Sequence, residues 1–322
     1  MAKVLVTGGA GFIGSHICDK LINMGHEVVC YDNLITGFKI NIEHLLIKNN
    51  FTFIIGDIRN ILDLEEAMKG CSHVCHQAAL GSVPRSIEDP IKTNEINIGG
   101  SLNVLQLAKN LNIKRVVFAS SSSVYGDNLD MPKIEHNTGK VLSPYAVTKQ
   151  TIEEYSRVFS YIHGMETIGL RYFNVFGPRQ SPEGAYAAVI PIFIDKILSK
   201  YPPTIYGDGE QTRDFSYIEN VVEANILCLF EDSKGKYGEV YNVACGETLS
   251  INGLFMMIKK SISGILDDEL NLLPKYAPDR PGDIKDSLAN LDKIKIHFGY
   301  IPKIYAAEGI DKTCKWHISN RR

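Results

Sequence analysis

The chain reads as an α/β protein: a doubly wound parallel sheet with helices on both faces, followed by a smaller and looser C-terminal domain. Three features of its 322 residues predict this. Short β-rich runs alternate with helical patterns through the first half, as expected of a parallel sheet with crossover helices. The runs VVCY, FIIG and VVFA carry little polar alternation, which suits strands buried on both faces. A glycine-rich turn, TGGAGFIG, separates the first strand from the first helix.

Taken in order, KVLVT opens the sheet and leads into a helix from Phe12 to Met24. EVVCY is followed by a polar turn and a helix over Ile40 to Lys48, and FTFIIGD by a helix over Ile61 to Lys69. HVCHQAA, a long helix near Glu95 to Asn110, and RVVFASS come next. A further helix is expected from Tyr145 to His163, before the strand ETIGLRY. Residues 1–173 are thus expected to form the nucleotide-binding domain. Beyond Asn174, Pro178, Pro182, Pro191, Pro202 and Pro203 break the pattern into short strands such as PTIYG. Amphipathic helices are expected near Asn220 to Phe230 and Ile251 to Ile262. Residues 174–322 read mainly as the second domain, interleaved with the first because a stretch of about 208–245 partly returns to it.

A hydrophobic content of 44% supplies a sizeable core, and a net charge of -3 with no long single-sign run gives no footprint for nucleic acid or an anionic membrane. No apolar run approaches the ~20 residues of a membrane span, and MAKVLVTGG runs directly into a strand. A cytoplasmic protein is expected. Seven scattered cysteines suit a reducing compartment. The one cluster is Cys71, His73, Cys75 and His76 in CSHVCH, in which strand alternation would put Cys71, His73 and Cys75 on one face. The cluster lacks C-x2-C spacing and a second ligand pair, so it reads as ordinary strand residues and no metal is expected.

In the glycine turn, Gly9, Gly11 and Gly14 fit G-x-G-x-x-G, and Gly8 extends the series. Such a turn needs positive φ, close backbone approach to a pyrophosphate and tight packing of helix on strand. The phosphates then meet free amides at the helix N-terminus. Asp32, eighteen residues after Gly14 at the end of the second strand, would accept from an adenosine ribose and repel a 2′-phosphate, which favours NAD over NADP. Asn33 and Leu34, not an arginine, follow it. Asp57 ends FTFIIGD, either against the adenine or as the N-cap of the next helix.

SPYAVTK places Tyr145 and Lys149 four residues apart, on one face of a helix. A neighbouring ammonium and a positive nicotinamide would both favour the phenolate, making Tyr145 a base activated by Lys149. Some two dozen residues earlier stands ASSSSVYG, a run of hydroxyls at a strand end with no acid among them.

TGGAGFIG, the YxxxK pair and the serines before VYG resemble the extended short-chain dehydrogenase/reductase family. RYFNVFGPRQ, GDGEQTRDF and RPGDIKDSLAN are similar to its nucleotide-sugar 4-epimerases, and the likeness spans essentially the whole chain. The resemblance implies a Rossmann-type domain holding NAD tightly, a C-terminal domain gripping a UDP-sugar, and a homodimer joined through two long helices. It further implies that Tyr145 is the base, that Lys149 is its activator and a ribose ligand, and that Ser121 binds the sugar hydroxyl. NAD would also meet Gly8, Gly11, Phe12, Ile13, Gly14, Asp32, Asn33, Asp57, Ile58, Gln77, Ala78, Ala79, Asn97, Ser120 and Tyr172. The substrate would meet Gly81, Ser82, Ser122, Ser123, Ala188, Val189 and Tyr206. Asn174 would lie near the diphosphate, Arg213 and Arg280 would neutralise it, and Asp283 would accept from the uridine ribose.

Related sugar 4,6-dehydratases resemble TDEVYG where this chain reads SSSVYG, and the uronate decarboxylases also carry an acid in that turn. A serine hydroxyl cannot protonate a leaving group as Asp or Glu can, so epimerisation is favoured. ALGSVPRSIEDP, from Ala79 to Pro90, looks like the corresponding loop of UDP-N-acetylglucosamine 4-epimerases. In the family, a bulky aromatic at the position of Ser287 excludes the N-acetyl group, and serine removes that wall. The expected substrate is therefore UDP-N-acetylglucosamine, with UDP-glucose as an alternative. A uronic acid derivative stays open, since Arg85 could meet a C6 carboxylate.

Overall fold

The computed structural model describes residues 1–182, 187–232, 235–279 and 285–321. Seven parallel strands form the central sheet: β1 (Lys3–Thr7), β2 (Glu27–Asp32), β3 (Phe51–Ile55), β4 (His73–His76), β5 (Arg115–Ser121), β6 (Glu166–Tyr172) and β7 (Glu239–Val243). Their order across the sheet is β3-β2-β1-β4-β5-β6-β7. The chain winds outward from β1 through β2 to β3, then crosses to the other side of β1 at β4. The crevice at the strand ends between β1 and β4 is therefore the topological switch point, where sheets of this kind bind ligands.

Alternation along the strands divides the core between the two faces. Val4 and Val6 of β1 pack with Ile17 and Leu21 of α1 (Phe12–Asn23), whereas Leu5 packs with Leu64, Val104 and Phe159 on the opposite side. Each such side chain, fully buried, contributes about 1.5–3 kcal/mol relative to exposure. On the first face, the helix Ile218–Phe230 lies against α1 and β4 to β6, and β7 follows it as the edge strand beside β6. The other face carries Ile61–Met68, Ser101–Asn110 and the long helix Pro144–His163.

Beyond β6 the elements are smaller. Val189–Leu198 packs on Ile251–Leu266, which packs on Ala306–Asn320. Two-residue and three-residue strand pairs join Val175–Phe176 to Ser216–Tyr217, Thr212–Arg213 to Leu249–Ser250, and Thr204–Tyr206 to Lys275–Ala277. Among the described residues, no helix is long and apolar enough to cross a membrane.

Three local expectations need correction. Ile40 to Lys48 is not one helix but two single 3-10 turns, Lys39–Asn41 and Glu43–Leu45. Phe38 N–H and Asn41 Nδ2 both donate to Ala10 O in the glycine turn, and these tertiary bonds override local helix propensity. The helix expected from Glu95 is regular only over Ser101–Asn110, because Glu95–Gly100 takes the wider π geometry, with Pro90–Asn94 ahead of it. Within it, Asn97 turns inward to bond Leu80 and Thr148, and a Cβ on Gly100 would lie 2.4 Å from Ile58 Cδ1. Finally, Cys71 lies outside β4 and belongs to one core while Cys75 belongs to the other, so the two do not share a face.

Candidate functional site

The glycine turn is shaped by contact as much as by conformation. Gly8 has φ +68°, and a Cβ there would lie 2.7 Å from Ala78 N, at the end of β4. A Cβ on Gly14 would lie 2.2 Å from Gly8 O, so only glycine lets α1 start this close to the strand it follows. No side chain caps the N-terminus of α1, which leaves its first amides available to an anion. Asp32 stands beside this turn, buried, accepting from Ala10 N–H at 3.0 Å and Leu34 N–H at 2.8 Å. Burial raises its pKa, and the backbone donors oppose that rise.

A cavity of about 470 Å³ opens here at the switch point, within the ~300–1,000 Å³ usual for ligand sites. One end meets Gly11, Phe12, Ile13, Gly14, Asp32 and Asn33. Gln77, Ala78, Ala79, Gly81, Ser82 and Ile58 also line it, and Ser120, Tyr145, Lys149 and Tyr172 stand toward β5 and β6, three strands across the sheet from Asp32. Most of the residues expected to hold the dinucleotide are thus brought together. Asp32 is the sole carboxylate among the described residues lining this cavity.

Two expected members do not line this cavity. Asn97 spends both its donors and its acceptor on protein groups: Nδ2 donates to Leu80 O and Thr148 Oγ1, and Oδ1 accepts from Leu80 N–H. Asp57 is held by a fork from Arg59 and by Asn33 Nδ2, and Arg59 chiefly draws its carboxyl down to about 2. Nor is Asp57 the cap of the next helix, since Asn60 accepts from Leu62 and Asp63 N–H there.

Tyr145 enters at the first turn of Pro144–His163, a helix capped by Ser143 and opened by Pro144. Its N–H donates to Ser86 Oγ at 3.0 Å, its side chain is hydrogen-bonded to Ser121, and Lys149 Nζ lies 5.8 Å from its ring centre. Lys149 Nζ donates to Ala119 O at 2.7 Å. Burial raises the Tyr145 pKa, and the Ser121 bond draws it down. Burial also lowers Lys149, to about 8, and Glu153 opposes that fall.

Ser121 Oγ accepts from Ser123 N–H, capping the 3-10 turn Ser122–Tyr125, while Ser123 Oγ is buried without a partner among the described groups. Tyr172 OH accepts from Asn225 Nδ2 at 2.9 Å and lies 3.1 Å from Gln77 Oε1, to which its one hydrogen can be given. In the histidine cluster, His76 bonds Thr7 and Ser101 and is driven down to about 3 by burial, and all seven cysteines are free and buried. These side chains hold strands and helices together.

A second cavity of about 350 Å³ shares Ala187 with the first. Asn174, Val189, Tyr206 and Arg213 line it, and Ala188 borders the first cavity. Arg213 Nη1 donates to Thr212 O and Lys285 O, so its guanidinium is fixed by the backbone on both sides. Ser287 N–H donates to Thr212 O next to Arg213, but its residue lines neither cavity. Arg280 and Asp283 lie outside the described residues. Residues not singled out from the sequence also contribute: Tyr31, Thr36, Leu80 and Gln180 in the first cavity, Lys196 and Gln211 in the second. The signals for three of them lay inside quoted motifs, Gln180 in RYFNVFGPRQ, Leu80 in ALGSVPRSIEDP and Gln211 in GDGEQTRDF.

The glycine cradle, the uncapped helix end and the ribose-level carboxylate fit a dinucleotide with two linked phosphates. Comparison with known proteins agrees. The family described as NAD dependent epimerase/dehydratase matches residues 4–244. A UDP-N-acetylglucosamine 4-epimerase from Methanobrevibacter ruminantium M1, solved with UDP-N-acetylmuramic acid, is 43% identical, with a TM-score of 0.88 over 99% of this chain and 98% of that one. A Thermus thermophilus UDP-glucose 4-epimerase, solved with NAD, is 35% identical with a TM-score of 0.86, covering 99% of both chains. A Thermotoga maritima UDP-glucose 4-epimerase, solved with UDP-glucose, is 34% identical with a TM-score of 0.91, over 99% of this chain and all of that one.

Proposed function

The chain belongs to the NAD dependent epimerase/dehydratase family, and from that premise we propose that it inverts C4 of a UDP-sugar, UDP-N-acetylglucosamine to UDP-N-acetylgalactosamine. One observation carries the choice of epimerisation over dehydration. Around Tyr145 the described cavity wall offers hydroxyls and amides, and its sole carboxylate, Asp32, ends β2, three strands across the sheet from β5. Expelling a 6-hydroxyl needs an acid near the sugar, whereas oxidising and re-reducing C4 does not.

NAD is the cofactor, and when bound it supplies the acceptor and donor of the C4 hydrogen, so no second substrate is consumed. Phe12, Ile13 and the glycines would hold its phosphates, Asp32 its adenosine ribose, and Lys149 the second ribose. Tyr145 takes the proton from the sugar 4-hydroxyl and later returns it. Ser121, bonded to Tyr145, orients that hydroxyl. Lys149 fixes the end of β5 through Ala119 O and supplies positive charge beside the phenol. The second cavity would hold the UDP end, with Arg213 facing a phosphate as a forked donor.

For the sugar, the support is the ALGSVPRSIEDP loop, the small Ser287, and the likeness to the 43% identical UDP-N-acetylglucosamine 4-epimerase. The likeness to two UDP-glucose 4-epimerases favours plain hexose as the second reading. The test is to incubate the purified protein with UDP-N-acetylglucosamine and with UDP-glucose separately, without added NAD, and to analyse the sugars. The proposal expects the acetylated galacto epimer as the main product. Conversion of UDP-glucose alone overturns the sugar assignment, and a dehydrated or reduced product overturns the reaction.

A further inference from the structure

We infer that Glu153 is a positioning residue for this reaction: fixed by Arg171, it holds Ser120 at the cavity wall and keeps the Lys149 ammonium charged. The inference rests on the reading of Tyr145 and Lys149 as the working pair.

Glu153 lies one turn beyond Lys149 on the same helix and is only 8% exposed. Arg171, on β6, grips it with two bonds, Nε to Oε1 at 2.9 Å and Nη2 to Oε2 at 2.8 Å. Ser120 Oγ donates to the same Oε1. Ser120 and Arg171 are register partners on adjacent strands, so one carboxylate ties β5, β6 and the catalytic helix together at their cavity ends. Lys149 completes the arrangement by donating to Ala119 O, the residue next to Ser120. Two consecutive residues of β5 are thereby pinned by two consecutive turns of one helix. Arg171 is itself held from behind, since Nη1 donates to Glu135 O and the guanidinium lies 4.9 Å from the centre of the Tyr125 ring.

Stability alone is a weak reason for such a pair, because buried ion pairs are often replaceable by apolar residues at little cost. Its place beside an ammonium gives a better one. The groups around Lys149 are Tyr145 and Glu153 on its own helix, His76 on β4, and Arg171 on β6 reached through Glu153. Burial drives the His76 ring down to about 3, so it is neutral, and Arg171 is positive. Glu153 is the one carboxylate of this set, and its charge opposes the burial that drives Lys149 down. Without it, two cations would share a dry site.

The experiment is the pH dependence of kcat for Glu153→Gln, with NAD content and circular dichroism measured on the same samples. A protonated Lys149 makes activity fall as pH rises through its pKa. The glutamine variant should move that falling limb to lower pH by about one unit or more, the size expected when an opposite charge is lost at this range. KM should change little, and Glu153→Asp should bring the limb back. A folded, NAD-loaded glutamine variant with an unmoved limb overturns the inference. Should that variant not fold, the paired change Glu153→Gln with Arg171→Met is compared with Arg171→Met alone, so that only the Glu153 charge differs, and equal limbs in those two variants overturn the inference there. Tyr145→Phe is measured alongside: its near-normal turnover would sink the base assignment itself, an outcome separate from any movement of the Glu153 limb.

Discussion

The nucleotide-binding half delivers its residues to the first cavity on the ends of consecutive sheet strands, whereas the C-terminal half lines the second cavity from segments scattered between Asn174 and Ile251. In the first half a residue's distance from a strand end fixes its place. Gly8 and Gly11 follow β1, Asp32 ends β2, and Ser120 and Ser121 end β5. In the second half, position depends on how short pieces lean on one another, as when Lys285 O and Thr212 O fix Arg213. The lesson is that the chemistry is rigidly built while substrate choice rests on a more adjustable frame.

The largest expected effect is on the rigid side. Tyr145→Phe should keep NAD bound while turnover falls about 10²–10⁴-fold, the usual worth of a positioned acid or base. Steady-state rates with the bound NAD quantified would check this, and near-normal turnover would exclude Tyr145 as the base. Next comes a pair of identical changes in the two halves. Gly14→Ala forces a methyl to within 2.2 Å of Gly8 O, and should cost about 1–3 kcal/mol of stability together with retention of NAD. Gly264→Ala, in the helix Ile251–Leu266, meets nothing within 4 Å and should stabilise by about 0.4–1 kcal/mol. Urea denaturation of both variants reads the contrast, and equal effects would erase it. The smallest and most selective effect belongs to Ser287→Tyr. It should reduce kcat/KM for the acetylated sugar about 10–200-fold, the range one steric change in a pocket supplies, and spare plain UDP-glucose. Equal loss on both sugars, or none, would remove Ser287 from the specificity argument.

Sequence reading reached furthest where function depends on local spacing. The glycine turn, Asp32 and the Tyr145/Lys149 pair each need only a strand end or one helical turn to be placed. Failures occurred where distant bonds decide local shape. Nothing near Ile40 announces that Asn41 will bond Ala10 O, thirty-one residues earlier, and split a helix into two turns. Similarly, Asn97 carries no local sign that its amide is committed to Leu80 and Thr148. The cysteines were misplaced because Cys71 belongs to a turn before β4, so strand alternation did not extend to it. Glu153 sits in the helical register of Lys149, but its importance depends on Arg171 arriving from the neighbouring strand.

Asp214, fully buried, accepts from Cys245 and Gly246 N–H just past β7 and from Ala289 N–H. A single carboxylate thus joins the exit of the sheet to the point where the chain comes back. Lys133 repeats the closure, with its N–H donating to Leu288 O and its carbonyl accepting from Asn290 N–H. The described residues between Gly246 and Ala289 thus leave the sheet and rejoin it through one buried carboxylate, so loss of that charge would loosen the exit and the return together.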